Sequence, residues 1–190
     1  MRRSLLACAA LTGAMLAVSP AWADRDGDSE KFRARLSGFN EVGGVGAGQT
    51  GAILSGGTAT AEVELDKGAG TATYTLTISG GFSSAVTQAH IHFGKVHVGG
   101  GIMVYFCANP PAVAPGPAGT PTCPASGTVT GTWSAASVVG PAAQNVPVGD
   151  FDALVQALES NTAYANIHTV TFKAGEIRGQ MRRNDRDDRD

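Results

Sequence analysis

Charged and aromatic side chains are scarce in this sequence. Only 16% of its 190 residues are charged, 6% are aromatic, and the formal net charge is −2. Proteins that bind nucleic acid or anionic membranes through charge need a basic surface, and 14 basic against 16 acidic residues do not supply one. We therefore predict no nucleic-acid partner.

The motifs of common catalytic sites are also missing. The sequence contains no Gly-x-Ser-x-Gly elbow, no recognisable carboxylate pair and no phosphate loop. The glycine-rich stretch at 43–48 lacks the lysine and the strand–helix context of a nucleotide site. We predict a non-enzymatic protein without catalytic residues.

Long apolar runs are absent except near the N-terminus. There, residues 5–18 are apolar, follow Arg2 and Arg3, and lead to Ala-Trp-Ala just before Asp24. This pattern is typical of a secretory signal and is too short for a comfortable membrane span. We predict a signal peptide at 1–23, a secreted or periplasmic protein, and no membrane span.

Cysteine is rare as well, and only Cys107 and Cys123 lie outside the predicted signal. In an oxidising compartment such a pair predicts a disulfide, which would close a loop of about 15 residues and contribute on the order of 3 kcal/mol. The alternative, two thiolates on a metal ion, lacks the short spacing of a typical cysteine metal site.

Alternating apolar and polar residues dominate the rest of the chain. This pattern predicts an all-β antiparallel Greek-key β-sandwich or barrel of about eight strands. The continuous apolar run at 102–106 predicts a central strand. Residues 150–159 have the apolar spacing of one short helix. Charged tails at 24–31 and 184–190 are expected to flank a β domain at 32–183. The expected strands cover 32–36, 58–65, 71–78, 86–93, 102–106, 128–133, 163–172 and 176–182.

The four histidines occur in two short segments. His90 and His92 form a His-x-His pair on a predicted strand, so both side chains lie on one face of it. If His168 joins them from a later strand, three imidazoles can hold copper or zinc, with Glu176 or water as a fourth ligand. His97 is expected to lie in a loop outside this group.

Other polar residues on the last two predicted strands can share that face. They are Asn166, Glu176, Arg178 and Gln180. One interpretation is a polar binding face around the histidines. The alternative is structural: the histidines hydrogen-bond to Asn, Glu and backbone groups, and Arg178 forms a salt bridge across strands.

Three motifs in this order resemble one known domain. They are Ala-His-Ile-His-Phe-Gly at 89–94, Asn-Thr-Ala-Tyr-Ala-Asn-Ile-His-Thr at 161–169, and Gly-Glu-Ile-Arg-Gly-Gln at 175–180. Together they resemble the CHRD domain, which is named for chordin and also occurs in exported microbial proteins. The resemblance implies a β-rich extracellular interaction module.

Two functions follow as expectations. The first is a non-enzymatic module that binds an extracellular protein, polymer or surface partner through the polar face or nearby loops. The alternative is a copper- or zinc-binding protein that uses His90, His92 and His168.

Overall fold

The described residues of the protein form two antiparallel β-sheets and one α-helix. The computed structural model describes residues 29–43, 51–109 and 116–184. Within them the strands are β1 (Ser29–Leu36), β2 (Ala59–Asp66), β3 (Thr71–Ile78), β4 (Val86–Phe93), β5 (Gly101–Ala108), β6 (Gly127–Trp133), β7 (Ala163–Thr169), β8 (Ile177–Gln180) and β9 (Arg182–Arg183), and the helix is α1 (Phe151–Glu159). The predicted sandwich with one short helix is confirmed. None of the described helices is both long and apolar enough to cross a membrane.

The strands divide between a five-stranded and a four-stranded sheet. Their orders are β6-β3-β2-β1-β9 and β5-β4-β7-β8. The chain leaves the first sheet after β3, forms the β4–β5 pair in the second sheet, and returns so that β6 pairs with β3. A return of this kind is the Greek-key connection that the sequence predicts.

Strand alternation explains where the core lies. In β4, Ala89 and Ile91 are fully buried in the core, and so is Ile167 in β7. The helix adds Leu154 and Leu158 to the same core. It begins where the sequence predicts, because the Asp150 carboxylate accepts a hydrogen bond from the backbone N–H of Ala153 at 3.0 Å.

Strand β5 is an edge strand, so the prediction of a central strand at 102–106 is wrong. The apolar run suggested a central strand because β5 is buried, although no strand of the described ranges 29–43, 51–109 and 116–184 pairs with its other side. Other segments occupy its carbonyls instead: the Val139 N–H donates to Met103 O at 2.9 Å, and Trp133 Nε1 donates to Tyr105 O at 2.8 Å. These bonds block the pairing that an open edge would invite.

The ends of the domain differ slightly from the expectation. Strand β1 begins at Ser29, inside the segment 24–31 that the sequence predicts as a tail, because Ser29 pairs with Asp66 at the end of β2. The backbone N–H of Asn184 donates to Lys31 O at 2.8 Å. The predicted signal peptide at 1–23 and residues 185–190 lie outside the described residues.

The predicted disulfide is present. Cys107 at the end of β5 is bonded to Cys123, with 5.0 Å between their Cα atoms. The Asn109 side chain holds the same junction, because its amide donates to Cys123 O at 2.7 Å and its carbonyl oxygen accepts from the Cys123 N–H at 3.0 Å.

Candidate metal centre

The structure brings His90, His92 and His168 together on the outer face of the four-stranded sheet. Because Ala89 and Ile91 face the core, His90 and His92 project to the opposite side of β4. His168 lies on the neighbouring strand β7. One ligand nitrogen from each of the three histidines lies within 4.8 Å of the other two. His97 is exposed in the following loop and takes no part in this group.

All three imidazoles are buried, although they lie on the outer face. The exposed fraction is 0% for His90, 7% for His92 and 6% for His168. Burial and the neighbouring His168 lower the pKa of His92 from 6.5 to about 3. Burial also holds the pKa of His90 well below its ordinary value and lowers the pKa of His168. The imidazoles are therefore neutral at physiological pH, which is the form that binds a metal ion.

Backbone carbonyls fix the proton positions on two of the rings. His92 Nδ1 lies 2.9 Å from Gly100 O, and His168 Nδ1 lies 2.9 Å from Lys173 O. Since a carbonyl only accepts, Nδ1 carries the proton in each neutral ring and Nε2 carries a lone pair. Within the part of the chain that the structure describes, neither Nε2 atom has a hydrogen-bond partner although both are buried, and the same holds for both ring nitrogens of His90.

The structural interpretation expects Asn, Glu and backbone groups to satisfy the imidazoles, and this holds in part. Among the described residues, backbone carbonyls bind one nitrogen each of His92 and His168, and no Asn or Glu side chain binds any of the three rings. A buried polar atom without a partner costs about 1–3 kcal/mol. Lone pairs close together in a buried space, with two of the three rings oriented by a backbone carbonyl, are typical of metal-binding histidines.

A loop packs against the histidine face at His92, whose ring contacts the Gly100 carbonyl. Residues 94–100, here called the covering loop, connect β4 to β5. Arg178 donates to Lys95 O at 2.9 Å and to Val98 O at 3.0 Å, and Gln180 donates to Gly94 O at 3.1 Å. The Gly100 N–H donates to the Tyr164 hydroxyl at 3.1 Å. Side chains of the outer face therefore fasten the covering loop along its length.

Arg178 is a structural cation. Its guanidinium carbon lies 3.4 Å from the centre of the Tyr164 ring, and the His92 ring stacks on Tyr164 with 4.8 Å between ring centres. Burial lowers the pKa of Arg178. The predicted cross-strand salt bridge is wrong, because the hydrogen bonds of this guanidinium go to the carbonyls of the covering loop.

Asn166 fastens a second segment over the same face. Its amide donates to Glu41 Oε2 at 2.6 Å and to Ile177 O at 2.8 Å. Gly175 packs so closely here that a Cβ atom would lie 2.6 Å from both Asn166 Oδ1 and Glu41 Oε2. Sequence reasoning did not find the role of Glu41, which is far away in the chain.

Glu176 does not join the histidines, so its assignment as a fourth ligand is wrong. Its carboxylate accepts hydrogen bonds from Ser55 Oγ, Ser83 N, Ser83 Oγ and Thr169 Oγ1 at 2.6–2.9 Å. Burial alone would raise the pKa of Glu176, but these hydrogen bonds outweigh it and lower the pKa. Glu176 connects loops of the domain instead.

The predicted polar binding face is largely inaccessible. Asn166, Glu176 and Arg178 are at most 2% exposed, and only Gln180 retains partial exposure. A protein or polymer partner cannot contact the three buried side chains in this conformation. The prediction of a contact surface there is wrong, because other segments of the chain cover these side chains.

Gln88 is buried on the same face as the three histidines, and the sequence patterns did not predict it as a site residue. It lies two residues before His90 on β4, pairs directly with His168 on β7, and is 5% exposed. Its Oε1 atom is buried without a hydrogen-bond partner. Gln88 lies outside the His-x-His motif, although the same strand alternation places it on the outer face.

The fold and site define an antiparallel β-sandwich domain with a buried three-histidine cluster on one sheet. The sequence matches the family model of the CHRD domain over residues 32–181. That match covers most of the chain, and the protein therefore belongs to the CHRD domain family. No curated protein matches the chain.

Proposed function

We propose that this protein is an exported, non-enzymatic binding module whose ligand is one copper or zinc ion, held by His90, His92 and His168. One observation carries the proposal: converging imidazole nitrogens are buried without hydrogen-bond partners. Imidazole is a common ligand of both metals.

The distances fit an ion after a small adjustment. Metal–nitrogen bonds of about 2.0–2.1 Å place three nitrogens around one ion about 3.5 Å apart. The ligand nitrogens now lie within 4.8 Å of one another, so the rings have to approach by about 1 Å. His92 and His168 would bind through Nε2, since Nδ1 of each ring is already hydrogen-bonded.

Export and the absence of catalysis are parts of the same proposal. The disulfide supports an oxidising compartment, in agreement with the predicted signal peptide. CHRD domains are generally non-enzymatic binding domains, which supports a binding role. A macromolecular extracellular partner stays a prediction, and it would have to use surfaces other than the buried histidine face.

The test is metal binding by the full chain, purified and treated with chelator. Copper and zinc are titrated in turn, with metal content measured by mass spectrometry. We expect a Kd below about 1 μM for one ion, and stabilisation by about 2.7 kcal/mol when the free ion is at 100 times its Kd.

Two variants localise the site. His90→Ala/His92→Ala should abolish binding, and His168→Gln should weaken it while changing the surroundings less. The matched control is His97→Asn, which removes an exposed histidine from a position with φ of 61°, where Asn is tolerated. Equal binding by the wild type and the double variant, or no binding by the wild type, would overturn the proposal.

A further inference from the structure

Five buried side-chain atoms of His90, His92, His168 and Gln88 have no hydrogen-bond partner among the described residues. They are Gln88 Oε1, His90 Nδ1, His90 Nε2, His92 Nε2 and His168 Nε2. One metal ion accounts for three of these atoms, one nitrogen from each ring. The second nitrogen of His90 and the oxygen of Gln88 then remain.

These two remaining atoms are chemically complementary. A neutral imidazole that gives one nitrogen to a metal carries a proton on the other, so His90 has an N–H to donate. The amide oxygen of Gln88 accepts. His92 and His168 already have such acceptors in Gly100 O and Lys173 O, whereas His90 has none.

The positions of the two residues allow the contact. Gln88 and His90 are two apart on β4, on the same face of the sheet, and both are buried. The side chain of Gln88 has three rotatable bonds, and a change of rotamer is the movement that the proposed contact requires.

We propose that Gln88 is the positioning residue of the metal site: its amide oxygen accepts a hydrogen bond from the non-ligating N–H of His90 when the ion is bound. The inference rests on the proposed metal-binding function. With the proposed hydrogen bond from His90 to Gln88, each of the three histidines has one acceptor, and none of the five atoms is left without a partner. Such acceptors orient the ligand ring and raise its basicity.

The test compares copper and zinc affinities of the full chain and two variants. Gln88→Leu removes the acceptor and should weaken metal binding about 10–100-fold. Gln88→Glu restores an acceptor and should regain at least wild-type affinity. Gln156→Leu, at an exposed position of α1, is the matched control and should bind as the wild type does.

A spectroscopic measurement separates positioning from a general loss of structure. In the zinc-loaded wild type, the nitrogen-bound proton of His90 should give a protected NMR signal that Gln88→Leu loses and Gln88→Glu recovers. In cobalt-substituted protein, Gln88→Leu should leave the coordination number unchanged. A changed coordination number would overturn the proposal, because Gln88 would then be a ligand.

The two proposals fail in different ways. If the wild type binds metal and Gln88→Leu binds it equally well with the His90 proton signal retained, the positioning role of Gln88 is wrong and the metal site stands. If the wild type binds neither metal, both proposals are wrong.

Discussion

As the pH falls, the metal-free protein should unfold at a higher pH than protonation of its carboxylates alone would cause. The reason is that it contains buried neutral histidines. Burial lowers the pKa of His92 in the folded state from 6.5 to about 3. Between these pH values the unfolded chain binds a proton that the folded chain excludes. Stability therefore falls as the pH drops below 6.5, and the loss ends only near the folded pKa.

The expected size of this effect is large. Each excluded proton costs about 1.4 kcal/mol per pH unit, so His92 costs about 2 kcal/mol at about pH 5. Burial also holds the pKa of His90 well below 6.5 and lowers the pKa of His168, so both residues add to this loss. Whole domains are stable by only roughly 5–15 kcal/mol.

Urea unfolding in the presence of chelator, repeated between about pH 7.5 and pH 5, measures this slope. This window separates the histidines from Glu176, because a carboxyl with a lowered pKa contributes stability that is lost only below its unfolded pKa of about 4.5. His92→Gln should reduce the slope by about 1.4 kcal/mol per pH unit. A stability that is constant from about pH 6.5 to pH 5 would refute the neutral, buried state of the cluster.

Three further predictions test the surrounding structure. Replacing Cys107 and Cys123 by Ser should lower the free energy of unfolding by about 3 kcal/mol, measured by urea unfolding without reductant; an unchanged midpoint would contradict this. Glu176→Gln should cost about 2–3 kcal/mol by the same assay and leave the metal affinity at its wild-type value, whereas weaker metal binding at full stability would return Glu176 to the site. Arg178→Met leaves two carbonyls of the covering loop without their donor, so amide hydrogen exchange across residues 94–100 should accelerate at least 10-fold, and unchanged protection would show that other contacts hold the loop.

Much of the fold can be predicted from local sequence patterns. Side-chain alternation and turn residues define the β2–β3 hairpin, whose observed strands match the prediction to within one residue. The edge position of β5 could not be predicted in this way. Its apolar run reflects burial, and burial here comes from Trp133 and Val139, which lie more than 25 residues away in the chain.

Local sequence patterns predict the candidate site only in part as well. Alternation places His90 and His92 on one face, and the β4–β7 register then brings His168 beside them. Alternation fails for Glu176 because this residue lies in a bend just before β8, where the side chain turns toward Ser83 and Thr169. Nor could the sequence predict that the outer face is buried, because loops cover it rather than another sheet.

The covering loop has a consequence for how the proposed ion would exchange. It is fastened by Arg178, Gln180 and Tyr164 beside rings that are at most 7% exposed, so we expect an ion to reach or leave the histidines when these bonds open. The residence time of the ion would then depend on the frequency of loop opening as well as on the strength of the metal–nitrogen bonds. A domain of this kind can retain an ion of moderate affinity for a long time, and release it quickly when another molecule displaces the loop.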